Sequence, residues 1–338
     1  MQVRSFGLLL AGLLPVGAFA EPEYEEMSRA PRRERMRLFA AGPSINLIAT
    51  FIVLVLLSAT ANGFVAKNPG VHATGIIAET GAQDAGLNAD ETITHIDDSV
   101  VANRDDFTEV MKGYSSGEVA YFTVISSQAN DAETRVVEIT FTDRWQYHMD
   151  QCEQTTGCDM EETRVLMEAQ GIEQGDAFVG VSNLRSNTAA VDGWSFLADE
   201  DLSGLQKGLI LLVAPLIMLG VPIQNDCHTM PIEERAMLAA GDGIIASNLG
   251  TEGMLAAFDF LFWLAWINFL LGFANLIPMI PFDGGHIFRD ATHSTKRFII
   301  RGGEPIRIEN AANRLSSMSS LLVLLIVIIP IILPRLVS

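Results

Sequence analysis

Residues 275–286 read NLIPMIPFDGGH, and they close an apolar run, LAAFDFLFWLAWINFLLGFA, at 255–274. A run of about twenty apolar residues is long enough to cross a bilayer as a helix. Pro278 and Pro281 each remove a backbone donor and disrupt that helix. Gly284 and Gly285 permit close approach and unusual backbone angles. Carbonyls freed by the break need partners, so it must face protein or a wet cavity. Asn275 can supply hydrogen bonds there. A plain helix end would account for the prolines and glycines. It would not call for Asp283, because an ionised carboxylate within a membrane segment is expensive and marks function.

Working outward, the chain has 338 residues, 49% of them hydrophobic, and a mean hydropathy of +0.28. That is too apolar for an ordinary soluble enzyme, and the apolar residues are clustered. A membrane protein with one soluble part is expected. The charge is uneven. Residues 62–204 hold 26 Asp/Glu against 7 Lys/Arg, a balance of −19, and the rest of the chain sums to zero. Such a field repels phosphate, so nucleic acid is excluded as a partner. Four Lys stand beside eighteen Arg. A very acidic, Lys-poor surface suits high salt, where ions screen self-repulsion. An ordinary acidic soluble domain is the alternative.

The first apolar run, residues 5–20, resembles a secretory signal, but Gly7, Gly12, Pro15 and Gly17 interrupt it. The second, residues 45–61, is long enough to span, and Arg29, Arg32, Arg33, Arg35 and Arg37 precede it. The positive-inside rule makes that flank cytoplasmic and the acidic block extracytoplasmic. A cleaved signal would put the arginines on the wrong side. A third run, residues 208–223, is broken by Pro215, Gly220 and Pro222. The fourth covers 254–280 and the fifth 321–333, with a basic, cytoplasmic-looking loop between them. A full span at 208–223 would put that basic loop outside. The expectation is therefore that 208–223 dips in and returns or lies in the interface.

From Gly75 the acidic block shows short strands (VAYFTVIS, TRVVEITF), a helix-like DDFTEVMKGY and turn signals between them. With GAQDAGL at 81–87 and NADETITHIDD at 88–98, it resembles a PDZ domain. That family accepts an extended peptide along an open sheet edge. The sequence departs at Asp90-Glu91, where Gly-Asp is usual, and at Asp97-Asp98, where Asp-Gly is usual. Both departures affect turns. A small structural αβ domain without a ligand is the competing reading. Residues 181–204 read as polar and irregular. Cys152 and Cys158, in QCEQTTGCD, are a disulfide pair if extracytoplasmic. Cys227 is then left over. A structural zinc site built from the three cysteines with His148 and His228 is an alternative of unfamiliar spacing. No phosphate loop, dinucleotide fingerprint or Gly-x-Ser-x-Gly occurs.

Asn-x-x-Pro-x-x-Pro-x-Asp-Gly-Gly at 275–285 resembles the signature of the site-2 proteases, which are intramembrane zinc metalloproteases. AGPSIN at 41–46 is similar to their Gly-Pro-x-x-Asn at the start of a core helix (Gly42, Pro43, Asn46). The external PDZ-like insert also matches their layout. The resemblance implies Asp283 as the third protein ligand of Zn²⁺. It implies that Asn275, the backbone near Pro278 and Gly284 hold an unwound membrane-protein or peptide substrate. Residues 5–20 would be the family's membrane-embedded hairpin, which can align substrate by strand addition. His286 reads as a flanking residue.

The family cuts peptides with His-Glu-x-x-His on a helix, two histidines on the metal and the glutamate as base. His72, His95, His148, His228, His286 and His293 include no such pair. Residues 1–338 alone are therefore expected to lack peptidase activity. Either the catalytic helix lies upstream of this start, or the protein is a non-catalytic membrane scaffold with a peptide-binding domain. A channel or transporter, where broken helices also occur, is a third class without supporting repeats. The expected fold is a multi-pass α-helical protein of the cell membrane with an extracytoplasmic PDZ-like α+β insert. Its parts are 1–61 (hairpin, Arg-rich loop and core helix), 62–143 (PDZ-like domain), 144–204 (acidic extension), 205–253 (apolar segment and external loop) and 254–338 (helix with the NLIPMIPFDGG motif, basic loop and last helix).

Overall fold

The structure is a computed structural model describing residues 3–11, 14–126, 134–299, 306–307 and 309–322. It opens with an antiparallel hairpin of β1 (Val3–Ala11) and β2 (Leu14–Pro22). Gly7, Pro15 and Gly17, which spoil a helix here, fall in strands whose register shifts at Leu9/Leu10, and Gly12 lies outside the described residues. α1 (Tyr24–Arg29) stops just before Pro31, because a residue ahead of proline disfavours helical angles. α2 (Arg32–Ala61) then runs for 30 residues with Pro43 inside it. Ile45, Ile48 and Ile52 form an exposed apolar stripe at helical spacing along it, as a lipid-facing helix requires.

The acidic block folds as a sheet with helices. Its elements are β3 (Phe64–Ala66), β4 (Val71–Ile76), α3 (Gly81–Asp84), β5 (Thr92–Ile96), β6 (Ser99–Val100), α4 (Arg104–Met111), β7 (Val119–Ile125), β8 (Thr134–Thr140), β9 (Thr142–Asp143), α5 (Arg144–Gln154), α6 (Met160–Ala169), β10 (Ala177–Phe178), β11 (Val181–Ser186) and α7 (Ala189–Asp192). The main sheet has the order β11-β4-β5-β7-β8, with β6 paired to β5. β7 alternates in the way a half-buried strand should, with Ala120, Phe122 and Val124 inside and Val119 and Tyr121 outside. With Val71, Ile93, Ile96, Val137 and Ile139 they make the core. Asn103, Asp143 and Asp159 cap α4, α5 and α6 with their side-chain oxygens. Asp90 and Asp97, at the two departures from the PDZ pattern, take φ of 61° and 48°, which aspartate tolerates better than most residues.

The sheet does not end at residue 143. β11 pairs with β4 and forms its edge, where an irregular segment is expected from the sequence. Asn183 sits at φ 50° within an unbroken register, and Val181 and Leu184, three residues apart, both pack against the core, so the period of two is lost. Between β9 and β10, α5 and α6 form a helical pair carrying the Cys152–Cys158 disulfide.

α8 (Gly204–Gln224) is one continuous helix begun by a Ser203/Gln206 capping box. The reversal considered for 208–223 is not present; Pro215 and Pro222 lie inside the helix and are buried with Ala214 and Met218 on one face. α9 (Ile232–Ala236) and β12 (Leu238–Ala240) follow, and β12 pairs with β3. α10 (Ile244–Leu276) is kinked at Gly250, where φ is 64°. α11 (Asp283–Ile299) occupies what reads in the sequence as a basic loop. Residues 309–322 are also helical; most of the last apolar run lies outside the described residues.

Among the described residues, α2, α8 and α10 are long and apolar enough to cross a membrane. The chain divides into two units, residues 1–53 with 264–338 and residues 54–263. Within the second, the start of α8 is tied to the end of α2 and the segment after α8 to the sheet domain. Lys207 donates to the Leu197 carbonyl, while Leu197 N–H donates to Ser58. Beyond the other end, Glu234 of α9 lies buried beside His72 of β4 and Arg185 of β11. Arg185 Nη1 is 2.6 Å from Glu234 Oε1, an ion pair whose angle falls outside hydrogen-bond geometry. Asn187 Oδ1 accepts from His72 Nδ1 at 3.0 Å, and its amide nitrogen donates to the Asn68 carbonyl and the Thr92 hydroxyl.

Candidate metal centre

α10 stops at Leu276, two residues ahead of Pro278. Residues 277–282 then form an irregular loop with a cis Ile280–Pro281 bond. Its freed polar groups are met by protein. Ser319 donates to the Pro278 carbonyl at 3.0 Å, and the Ile280 N–H donates to the Ser320 hydroxyl at 3.1 Å. Within the loop, Phe282 N–H reaches the Met279 carbonyl and Gly285 N–H the Phe282 carbonyl. Sequence reasoning missed both serines; the only signal was the polar SSMSS at 316–320. The glycines are steric requirements. A Cβ on Gly284 would overlap the Leu276 carbonyl, and one on Gly285 would collide with the Met279–Ile280 peptide. That packing folds the loop back so that α11 can begin at Asp283.

Asp283 is half-buried at the first position of α11, where a negative charge also complements the helix dipole. Among the described residues its carboxylate makes no hydrogen bond or ion pair. A Cβ built on Gly42 of α2 would stand 3.8 Å from Asp283 Oδ2, an ordinary contact distance, so Gly42 borders the carboxylate. Pro43 is buried, and its carbonyl lies against Gly272 of α10, which has no room for a side chain beside Leu47. Gly272 thus lets α10 approach α2 at Pro43 and Leu47. Asn46 offers its carbonyl to Thr50 at 2.9 Å. The Asn275 side chain is half-buried at the end of α10 with no hydrogen bond among the described residues. His286, one turn beyond Asp283, stacks on Phe39 with ring centroids 4.7 Å apart.

No three His, Cys, Asp or Glu side chains among the described residues converge as a metal cage. The zinc site considered for the cysteines is excluded. Cys152 and Cys158 are joined to each other, and Cys227 is an exposed thiol. Asp283 fits a metal as one anionic oxygen donor, not as a complete set.

A second concavity lies between α4 and the edge strand β11. It encloses about 360 Å³, with Phe107, Met111, Val181 and Leu184 as apolar lining and Arg104 and Arg144 at its sides. Neither arginine forms an ion pair among the described residues, whereas Arg135 and Arg185 are engaged by Glu91 and Glu234. Burial pushes the Glu91 carboxyl up, but hydrogen bonds from Arg135 and Asn88 outweigh it and hold the group below the usual glutamate range. Burial and a hydrogen bond to Asp97 raise the Tyr114 phenol to about 12.

The sequence profile of Peptidase family M50 matches residues 1–323. The chain belongs to peptidase family M50. Its site-2 protease resemblance therefore holds across the whole chain rather than at one motif. Among similar M50 proteins is the zinc metalloprotease Rip1 of Mycobacterium tuberculosis, 25% identical over 300 residues. That match covers 82% of this chain and 68% of Rip1. The zinc metalloprotease RasP of Oceanobacillus iheyensis is 22% identical over 271 residues, covering 77% of this chain and 51% of RasP. Rip1 of Mycolicibacterium smegmatis is 36% identical over a 91-residue stretch, 27% of this chain and 22% of that protein.

Proposed function

We propose that residues 1–338 supply Asp283 as a metal ligand, and the 275–282 loop as a substrate bed, in an intramembrane zinc metalloendopeptidase. The observation that carries this is the half-buried carboxylate of Asp283 beside Gly42, which has no hydrogen bond or ion pair among the described residues. A carboxylate in an apolar segment is kept only with a partner, and a divalent cation is the partner the family uses. Zinc, when bound, supplies Lewis acidity toward a peptide carbonyl. The chain's own residues do the rest. Asp283 holds negative charge at a fixed place, and the Asn275 amide is free to donate to a substrate carbonyl. The irregular loop is non-helical backbone leading into Asp283, a place for an unwound substrate, since a helical peptide has its amides engaged.

The test uses a form of the protein that carries a His-Glu-x-x-His helix, reconstituted in nanodiscs with a transmembrane peptide. Zinc-dependent cleavage that drops at least tenfold in Asn275→Ala supports the substrate bed; unchanged cleavage contradicts it. Residues 1–338 alone contain no His-Glu-x-x-His and should not cleave. The scaffold reading predicts no cleavage in any form.

The groove between α4 and β11 supports a peptide-binding, PDZ-like role for the acidic domain on the extracytoplasmic side. Its lining suits an apolar side chain, and Arg104 and Arg144 favour an anionic peptide in a domain otherwise strongly acidic. Peptide binding that survives Arg104→Ala with Arg144→Ala would contradict this. The same acidity suits a high-salt setting, which a rise of Tm with added KCl would support.

α8 is proposed to lie along the interface. As a helix of 21 residues it is about 30 Å long. Residues 225–231, at roughly 3.5 Å each, reach at most about 25 Å. They must bring the chain back to Glu234, which is buried against the sheet domain, while α8 begins beside Leu197 and Ser58 at the end of α2.

A further inference from the structure

α2 and α11 run antiparallel and meet in three rungs. Asp290 accepts from Arg35 Nε at 3.0 Å and Nη2 at 2.8 Å. His286 stacks on Phe39 at 14° between planes. Asp283 stands opposite Gly42. Along α2 the steps are four residues and then three, and along α11 they are the same in reverse. One register therefore places all three. The rungs differ in what they can specify. A ring stack tolerates sliding and a glycine fixes nothing. A bidentate guanidinium–carboxylate pair fixes both distance and rotation. This pair is also deeply placed, with the Asp290 side chain 3% and the Arg35 side chain 16% exposed. A slip of α11 by one residue turns it by about 100°. It would break the bidentate contact of the buried Asp290, whose other ion pairs, to Arg32 and Arg289, stand at 3.9 Å and are not hydrogen bonds; a buried charge that loses its best partner is strongly resisted.

We infer that Arg35 and Asp290 are positioning residues for Asp283. Their ion pair, seven residues or about 10 Å along α11, sets the register that aims the carboxylate past Gly42. Neither residue touches substrate or metal. The inference rests on the reading of Asp283 as a metal ligand, and two independent readouts separate the two claims.

The protein carrying a His-Glu-x-x-His helix is reconstituted in nanodiscs with Asp290→Asn, Arg35→Gln, or the reversed pair Arg35→Asp with Asp290→Arg. Zinc affinity is measured by chelator competition. Register is measured by disulfide formation between Phe39→Cys and His286→Cys in a Cys227→Ser background. Each single variant should lower the cross-linking yield several-fold and weaken zinc binding by about tenfold, the scale typical of groups that support a ligand. The reversed pair should recover most of both, and it keeps the test decisive where a single variant fails to fold. Unchanged cross-linking in the single variants, or a reversed pair no better than either, overturns the inference. Cross-linking that falls while zinc affinity holds contradicts the ligand role of Asp283.

Discussion

Ser319 and Ser320 each satisfy one backbone group of the 277–282 loop, and no other side chain among the described residues bonds to that loop. Removing both hydroxyls leaves a carbonyl and an amide without partners, at a cost of about 1–3 kcal/mol for each group. Ser319→Ala with Ser320→Ala should lower Tm and weaken zinc binding together; a variant with native Tm contradicts the assignment. Asp283 could be found from the sequence because a carboxylate beside an apolar run is costly wherever it points. The serines could not, because their partners lie about forty residues away and serine is common at helix ends. In the acidic domain, the folded Glu91 carboxyl lies below its unfolded value of about 4.3. The stability it contributes is therefore present above that value and lost as pH falls through the lower folded value. Arg135→Gln should destabilise the domain by about 1–3 kcal/mol near neutrality and raise the midpoint of its acid unfolding. Hydrogen exchange at β5 and β8 against pH measures both. An unmoved acid midpoint contradicts the account.

At the scale of elements, the buried Glu234 joins α9 to two strands of the sheet, β4 through His72 and β11 through Arg185. Arg185→Ala leaves Glu234 buried without its nearest cation and should cost about 3 kcal/mol. Thermal unfolding checks this, with Glu234→Gln in the same background recovering part of the loss. No effect from Arg185→Ala would mean that the carboxylate is already neutral or hydrated. None of this contact was legible, since it joins residues 49 and 162 positions apart. β7 and β8 were legible because their alternation is intact; β11 was not, because Val181 and Leu184, three residues apart, both pack against the core and no period of two remains. α11 read as a loop for a related reason. Its charges crowd the sequence, and only the pairing of Asp290 with Arg35 shows which face is buried.

At the scale of the molecule, the apolar runs were legible from length and composition, while the path of α8 depends on contacts that composition does not carry. Cys227, three residues past α8, decides its topology because it is an exposed thiol and the other two cysteines are joined. In intact cells a membrane-impermeant maleimide should label it from the side of the acidic domain. Protection until the membrane is opened would mean that α8 crosses. Family membership says that zinc chemistry is the family's trade, and Asp283 is where residues 1–338 would meet it. The most direct measurement is the zinc content, by elemental analysis, of the form that carries His-Glu-x-x-His, before and after Asp283→Ala. The account predicts about one zinc per protein before the change, and loss of most of that zinc under chelator competition after it. Full retention of zinc by the variant would contradict it.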